Sequence, residues 1–188
     1  MKTKVAIVLI SLLVNAGGLW AQHHPAGEAH AETKKGAQTA APAAFQKQLA
    51  GVFTAYTNLK NDLVASDATK AMKSAASVGQ AFQKVDRKLV KGTAHTEWMK
   101  VLQAMNNHLS LLSKASTIEE QRKHFAPFSE AMHQSIKNFG IGEQEAYYQY
   151  CPMANNSQGA YWLSESKEIK NPYFGEKMLK CGSTKETL

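Results

Sequence analysis

Residues 98–112 of the 188-residue chain read WMKVLQAMNNHLSLL. The large apolar residues of this stretch recur at intervals of three and four positions: Trp98, Leu102, Met105, Leu109 and Leu112. A helical turn takes about 3.6 residues, so this spacing places all of them on one face of an α-helix. The stretch therefore predicts a helix that buries this face against other helices.

Two further helices are predicted upstream. The first has apolar residues at helical spacing from Phe45 to Leu63 and should end at Ser66-Asp67, a pair that can also cap the next helix. The second has its apolar face from Met72 to Leu89 and should end at Gly92. Thr93 is the residue expected to cap the third helix.

A fourth helix is predicted downstream, from Ile118 to Phe139. Capping-box sequences at Ser116–Glu120 indicate its start. Pro127 should kink it near His124 to Phe128, because proline removes a backbone donor and clashes with the preceding turn. Four helices joined by short turns predict an all-α fold, an antiparallel up-down four-helix bundle over residues 42–140.

The chain changes character in residues 141–188, which show no helical spacing and are rich in aromatic, glycine and asparagine residues. Too few residues remain for a separate core, so we expect an irregular extension that packs on the bundle within one domain, residues 42–188. Its aromatic side chains can anchor it: Tyr147, Tyr148, Tyr150, Tyr161, Trp162, Tyr173 and Phe174. A long non-helical segment held in this way is typical of a functional site.

The first 21 residues have the features of a secretory signal peptide: two lysines, an apolar run from Val5 to Val14, and then small residues. We therefore expect a periplasmic or secreted protein with no stable membrane span after this segment is cleaved. Residues 22–41 predict a flexible leader that contains histidines. Cleavage after Ala21 would place His24 third from a free amine, an arrangement that can bind Cu(II) or Ni(II).

The formal charge of +7 does not by itself predict nucleic-acid binding. The lysine and arginine residues are scattered along helical faces and form no dense run with interleaved aromatic residues. The sequence also offers no nucleophile with a positioned base, no phosphate-binding glycine loop and no specific pair of carboxylates. We therefore expect neither a nucleic-acid partner nor catalysis.

Both cysteines lie near the end of the chain, each close to a methionine. In Cys151-Pro152-Met153, proline favours an extended backbone, so residues 151 and 153 should project to the same side. Met178 and Cys181 are three positions apart, which places them on one face of a helical turn. Thiolate and thioether ligands together favour Cu(I) or Ag(I), so these four residues form a candidate metal site.

Two histidines are additional candidate ligands. His124 and His133 lie on the fourth helix, which leads directly into the cysteine segment. Neither has a partner at the four-residue spacing of a compact metal pair, so a surface or boundary position is the simpler interpretation of each.

A disulfide is the alternative to a metal site. In an exported protein, Cys151 and Cys181 could close a loop of about thirty residues, worth on the order of 3–4 kcal/mol. The chain would then be a non-catalytic scaffold or binding domain. Its surface, held in place by the disulfide, would bind a partner in the cell envelope.

Four motifs occur in order between Cys151 and Gly182: Cys-Pro-Met-Ala, Gly-Ala-x-Trp-Leu, Asn-Pro-Tyr-Phe-Gly and Met-Leu-x-Cys-Gly. This tract resembles the signature of an exported bacterial family, the domain of unknown function numbered three-three-four-seven. Related segments are attached to membrane-fusion adaptors of heavy-metal efflux pumps of the Cus type. The resemblance covers approximately residues 42–188, although only the tract is specific.

The segment Tyr150-Cys151-Pro152-Met153 is also similar to the Tyr-x-Cys-Pro-Met-His-Pro core of small heavy-metal-binding domains in copper ATPases and efflux adaptors. Here Ala154-Asn155 replaces His-Pro, so thiolates and thioethers would have to carry coordination. These resemblances imply copper or silver handling outside the inner membrane. The expected protein is a carrier, a buffer or an accessory of an efflux adaptor.

Overall fold

The computed structural model describes residues 41–188. Its first part consists of four long helices: α1 (Ala43–Val64), α2 (Ala68–Gln83), α3 (Gly92–Lys114) and α4 (Ile118–Phe139). A single 3₁₀ turn, Arg87–Leu89, lies between α2 and α3. In residues 41–188, none of the helices combines the length and the apolar character needed to cross a membrane.

Two helix starts follow the predicted caps. The Asp67 carboxylate accepts a hydrogen bond from the Lys70 backbone N–H at 2.9 Å at the start of α2. The Thr117 hydroxyl accepts one from the Glu120 N–H at 3.3 Å at the start of α4. In both places a side chain satisfies a backbone donor that the first helical turn leaves free, which confirms these two predictions.

The predicted second helix was wrong at its end and in its buried face. The helix α2 ends at Gln83, because Asp86 caps the following 3₁₀ turn and its own N–H donates to Gln48 Oε1 at 2.7 Å. The buried face consists of Ala71, Ala75, Val78 and Phe82. Met72 lies one position outside this face and is 39% exposed.

The prediction that Thr93 caps the third helix was also wrong. The helix α3 begins at Gly92, and Lys91 has the extended backbone of an N-cap residue, with φ −126° and ψ 163°. The buried face of this helix largely follows the predicted spacing, with Trp98, Met105 and Leu112 fully enclosed.

The four helices share one apolar core and form a helical bundle. Each helix contacts the next in sequence, and α4 also contacts α1. Trp98 lies at the centre of an aromatic group, with ring centroids 5.0 Å from Phe45 and 5.6 Å from Phe139, both in edge-on geometry. The up-down order of the helices stays a prediction.

The C-terminal region was predicted to be irregular, and this was wrong. It forms an antiparallel sheet of three strands, β1 (Tyr147–Cys151), β2 (Ala160–Ser164) and β3 (Ser183–Thr187), in the order β2-β1-β3. Burial in β1 alternates residue by residue, as expected for a strand with two different faces. The alternation is hidden in the sequence because tyrosines occupy both faces of this strand.

The sheet packs on the helices, as predicted for the C-terminal region. The Tyr56 hydroxyl of α1 accepts a hydrogen bond from the Leu163 N–H at 3.0 Å and shares another with the Ser129 hydroxyl of α4 at 2.7 Å. Burial raises the pKa of Tyr56 far above its ordinary value. A second link joins Lys60 Nζ to a Glu165 carboxylate oxygen at 3.0 Å.

Candidate metal centre

The pairing of β1 with β3 brings the two cysteines to the same end of the sheet. Tyr150 pairs with Ser183, so Cys151 at the end of β1 lies beside the residues that precede β3. Gly182 permits this approach. With φ at +143°, a Cβ added there would lie 2.8 Å from Trp162 and 2.9 Å from the Tyr150 carbonyl oxygen.

The two thiols lie close together. Both cysteines are free thiols, with Cys151 fully buried and Cys181 half-buried. A hydrogen bond with the Cys151 side chain is the main reason why the pKa of Cys181 is raised, and burial adds to it. The backbone N–H of Met153 donates to Cys181 and opposes this shift. Cys181 therefore lies close to both Cys151 and Met153, the first and last residues of the Cys-Pro-Met segment.

The two methionines lie beside the thiol pair, on the outside. Met178 ends the 3₁₀ turn Gly175–Met178, and its carbonyl accepts a hydrogen bond from the Cys181 N–H at 3.0 Å. Met153 is 49% exposed and Met178 is 36% exposed. Both line one open pocket of about 600 Å³, which the cysteines do not line. The four sulfur residues thus form an inner thiol pair and an outer thioether pair.

One wall of this pocket, which we call the methionine pocket, is fixed by Arg122. Its guanidinium donates to the Pro172 carbonyl at 2.7 Å, the Leu63 carbonyl at 2.9 Å and the Ser66 hydroxyl at 2.8 Å. Burial lowers the pKa of Arg122. Because three hydrogen bonds tie one side chain to α1 and to the loop before Met178, this wall is pre-organised.

Another part of the lining is a turn in an unusual backbone conformation. Asn155, Asn156 and Ser157 follow one another with φ of 52°, 55° and 64°. Left-handed backbone costs roughly 1–2 kcal/mol per residue for L-amino acids, and asparagine tolerates it best. The Asn-Asn pair in the sequence was a signal for such a turn, but sequence reasoning missed it.

The candidate histidines lie elsewhere. His133 Nε2 is 2.8 Å from a Glu186 oxygen, and its ring stacks on Tyr148 with centroids 3.7 Å apart. Tyr148 belongs to the face of β1 opposite to Cys151, because side chains alternate along a strand. In the described part of the chain, His124 has no side-chain hydrogen bond. His24 lies outside the described residues.

An aromatic column on the helix-facing side of the sheet contains three of the tyrosines that were predicted as anchors. His133 stacks on Tyr148, Tyr148 lies 4.6 Å from Tyr161, and Tyr161 lies 4.4 Å from Tyr150. At one end, Glu186 binds both His133 and Lys137, whose Nζ is 3.0 Å away. Hydrogen bonds from His133 and then Lys137 lower the pKa of Glu186. This column joins β1 and β2 to α4.

The donor set can be tested against metal chemistry. Within residues 41–188, no group of three or more histidine, cysteine, aspartate or glutamate side chains is arranged to hold a metal ion. Two adjoining thiols with two unbranched, exposed thioethers are a different donor set, which suits soft monovalent ions. Since Cys181 is protonated at neutral pH, binding of such an ion must displace its proton.

The structure thus defines a helical bundle that carries a small antiparallel sheet with a thiol pair at one end. Residues 52–144 match the model of the family described as "Protein of unknown function (DUF3347)". The match supports the resemblance to that domain over the helices, whereas the tract from Cys151 to Gly182 lies beyond it. No curated protein and no solved structure matches the chain.

Proposed function

We propose that the protein is an exported carrier, buffer or efflux accessory for Cu(I) or Ag(I), built on a four-helix bundle. The ligands are Cys151, Met153, Met178 and Cys181. The strand pairing that places Cys151 beside the segment of Cys181, with the Met153 N–H close to the Cys181 sulfur, carries the proposal. Two soft thiols that already adjoin need little reorganisation to bind one ion, and this lowers the cost of binding.

The methionines complete the set because they can turn towards the thiols. Both side chains are unbranched and substantially exposed, so few contacts hold them in place. Zinc sites use cysteine, histidine and carboxylate ligands, and within residues 41–188 neither candidate histidine of α4 forms a hydrogen bond with Cys151 or Cys181. Selection of a soft monovalent ion over zinc follows from this donor set.

The second candidate is a scaffold domain in which Cys151 and Cys181 form a disulfide. The same proximity of the thiols favours it, and oxidation would then pin β3 to the end of β1. A disulfide and a dithiolate metal site use the same two sulfur atoms. They are therefore exclusive states of one pair.

Native mass spectrometry of the protein as produced by the cell, before and after mild anaerobic reduction, separates the two functions. Cu(I) is added together with a competing chelator. We expect the reduced form to retain one copper ion, and we expect Cys151→Ser to lose it. A form lighter by two hydrogens that takes up no copper after reduction would contradict the metal proposal and support the scaffold.

The thioether ligands need a separate test. The double variant Met153→Leu and Met178→Leu conserves bulk, so we expect intact folding and an affinity for Cu(I) lowered about tenfold or more. Met72→Leu is the matched control, because Met72 is an exposed methionine far from the thiols along the chain. Equal affinities of the double variant and the wild type would remove both methionines from the ligand set.

A further inference from the structure

The exposure of Met153 and Met178 needs an explanation beyond packing. Within residues 41–188, the exposed large apolar side chains are Met72, Leu111, Met153 and Met178. Two of these face the methionine pocket from different elements, one after β1 and one at the end of the 3₁₀ turn. Met105 and Met132, in contrast, are fully buried and fill gaps in the core.

The pocket is much larger than a metal ion. Its volume of about 600 Å³ lies within the range of roughly 300–1,000 Å³ that is typical of small-molecule sites. Tyr173 and Phe174 supply apolar walls, and the turn at Asn155 and Asn156 supplies amide groups. The cavity therefore has room for an organic ligand that arrives together with the ion.

The charges in the lining favour an anionic ligand. Arg122 and Lys123 outnumber the one acidic residue, Glu119. Lys123 is exposed and forms no ion pair within the described chain. The carboxylate groups of a small ligand can therefore interact with Lys123 at the rim. The copper ion bound to the sulfur of this ligand then reaches the methionines.

We propose that the methionine pocket receives Cu(I) as the complex of a small anionic thiol peptide. Met153 and Met178 take the ion from this complex and pass it to Cys151 and Cys181. The inference rests on the proposed function and adds the form in which the metal arrives. It also separates an entry step at the thioethers from final binding at the thiols.

The transfer is a ligand exchange without a redox change. A copper–sulfur bond to the peptide breaks as a bond to a methionine sulfur forms, and copper stays monovalent throughout. The cysteine sulfurs then replace the remaining peptide ligand. The thiol protons of Cys151 and Cys181 pass to the released peptide thiolate and to water. Exposed thioethers suit the first step because they bind without losing a proton.

Stopped-flow kinetics on the reduced full chain tests the entry step. Uptake of copper from its glutathione complex is followed by the tryptophan fluorescence of the protein, because the Trp162 ring lies against Gly182, the neighbour of Cys181. We expect the rate to rise with the concentration of the complex, because the complex itself binds. Copper held by two bicinchoninate ligands is the comparison. That complex is too bulky to enter as a whole, so its own dissociation should limit uptake.

The double variant Met153→Leu and Met178→Leu should slow uptake from the glutathione complex about tenfold or more, which corresponds to about 1.4 kcal/mol in the barrier. Its uptake from the bicinchoninate complex should be slowed much less, because dissociation of that complex sets the rate. Met72→Leu should match the wild type with both donors. Lys123→Ala should slow uptake from the glutathione complex, but not from the complex of neutral mercaptoethanol.

The possible outcomes separate this inference from the proposed function. If the double variant binds copper more weakly at equilibrium but takes it from glutathione at the wild-type rate, the methionines are ligands and the entry step is wrong. If the wild type takes copper from glutathione at a rate independent of the concentration of the complex, the pocket has no role in transfer. Failure of the wild type to hold copper at all would overturn the proposed function itself.

Discussion

The helices and the C-terminal sheet each enclose a tryptophan completely, but they depend on contacts of different range along the chain. Trp98 on α3 and Trp162 on β2 are both fully enclosed. The face that carries Trp98 is set by residues three and four positions apart. The sheet around Trp162 depends on pairing of Cys151 with Ala160 and of Tyr150 with Ser183. The thiol pair therefore lies in the part of the molecule that only long-range strand pairing can assemble.

The largest expected effect comes from Trp98→Ala. This ring packs against Phe45 and Phe139, so its loss leaves a cavity among three helices. We expect the free energy of unfolding to fall by about 3–5 kcal/mol, measured by urea denaturation with helical circular dichroism as the signal.

Trp162→Ala is the matched variant in the sheet. It removes an equally buried ring whose aromatic neighbour, Tyr173, belongs to the C-terminal region. We expect hydrogen exchange to accelerate in β1 and β2 before it does in the helices. One shared unfolding transition for both variants and all amides would show that helices and sheet form a single cooperative unit.

A change in pH should affect copper binding at the thiols more than it affects the helices. The pKa of Cys181 is raised, so its proton must leave when copper binds. Affinity should therefore rise about tenfold per pH unit for this proton, until the pH passes the pKa of Cys181 in the free protein. Competition titrations with a chelator of known pH dependence would measure this slope. A flat profile would mean that Cys181 is not a ligand.

Tyr56→Phe tests the joint between the two regions. The variant keeps the ring but leaves the buried Leu163 N–H and the Ser129 hydroxyl without their partner. We expect a loss of about 1–3 kcal/mol in stability, with the sheet amides exchanging faster than those of α3. Ser129→Ala is the control, because it leaves the bond between Tyr56 and Leu163 in place. Equal acceleration of exchange at sheet and helix amides would show that the hydrogen bonds of Tyr56 do not stabilise the sheet in particular.

The smallest effect is expected from Glu186→Gln. Bonds from His133 and Lys137 lower the pKa of Glu186 in the folded state, so its contribution to stability is present above its unfolded pKa of about 4.3. This contribution is lost as the pH falls through the depressed folded value. Since the carboxylate is partly exposed, we expect less than about 1 kcal/mol. Thermal unfolding from pH 6 to pH 3 should show a shallower decline in the variant than in the wild type.

The helices could be predicted because local spacing decides them. Met105 and Leu112 are buried as predicted, and Asp67 caps α2. The face of α2 was misread at Met72 because this helix is rich in alanine and lysine, so neighbouring faces differ little in apolar content. The buried face begins at Ala71, one position before the predicted Met72.

The sheet and the arrangement of the sulfur residues were predictable only in part. The thiol groups of Cys151 and Cys181 made these residues candidate ligands. Their proximity, however, depends on the pairing of β1 with β3 across more than thirty positions of the chain. The left-handed turn that begins at Asn155 and the wall fixed by Arg122 depend on tertiary contacts. No periodic pattern in the sequence reports such contacts.

The position of Gly182 has a mechanical consequence. It joins the second cysteine to β3, the edge strand that pairs only with β1 on one side within the described sheet. Any bond that bridges Cys151 and Cys181, whether through a metal ion or a disulfide, must therefore also fasten this strand in its register. Fraying of residues 183–188 would then decrease when Cys151 and Cys181 are bridged. The order of β3 would therefore indicate whether the two sulfur atoms are bound.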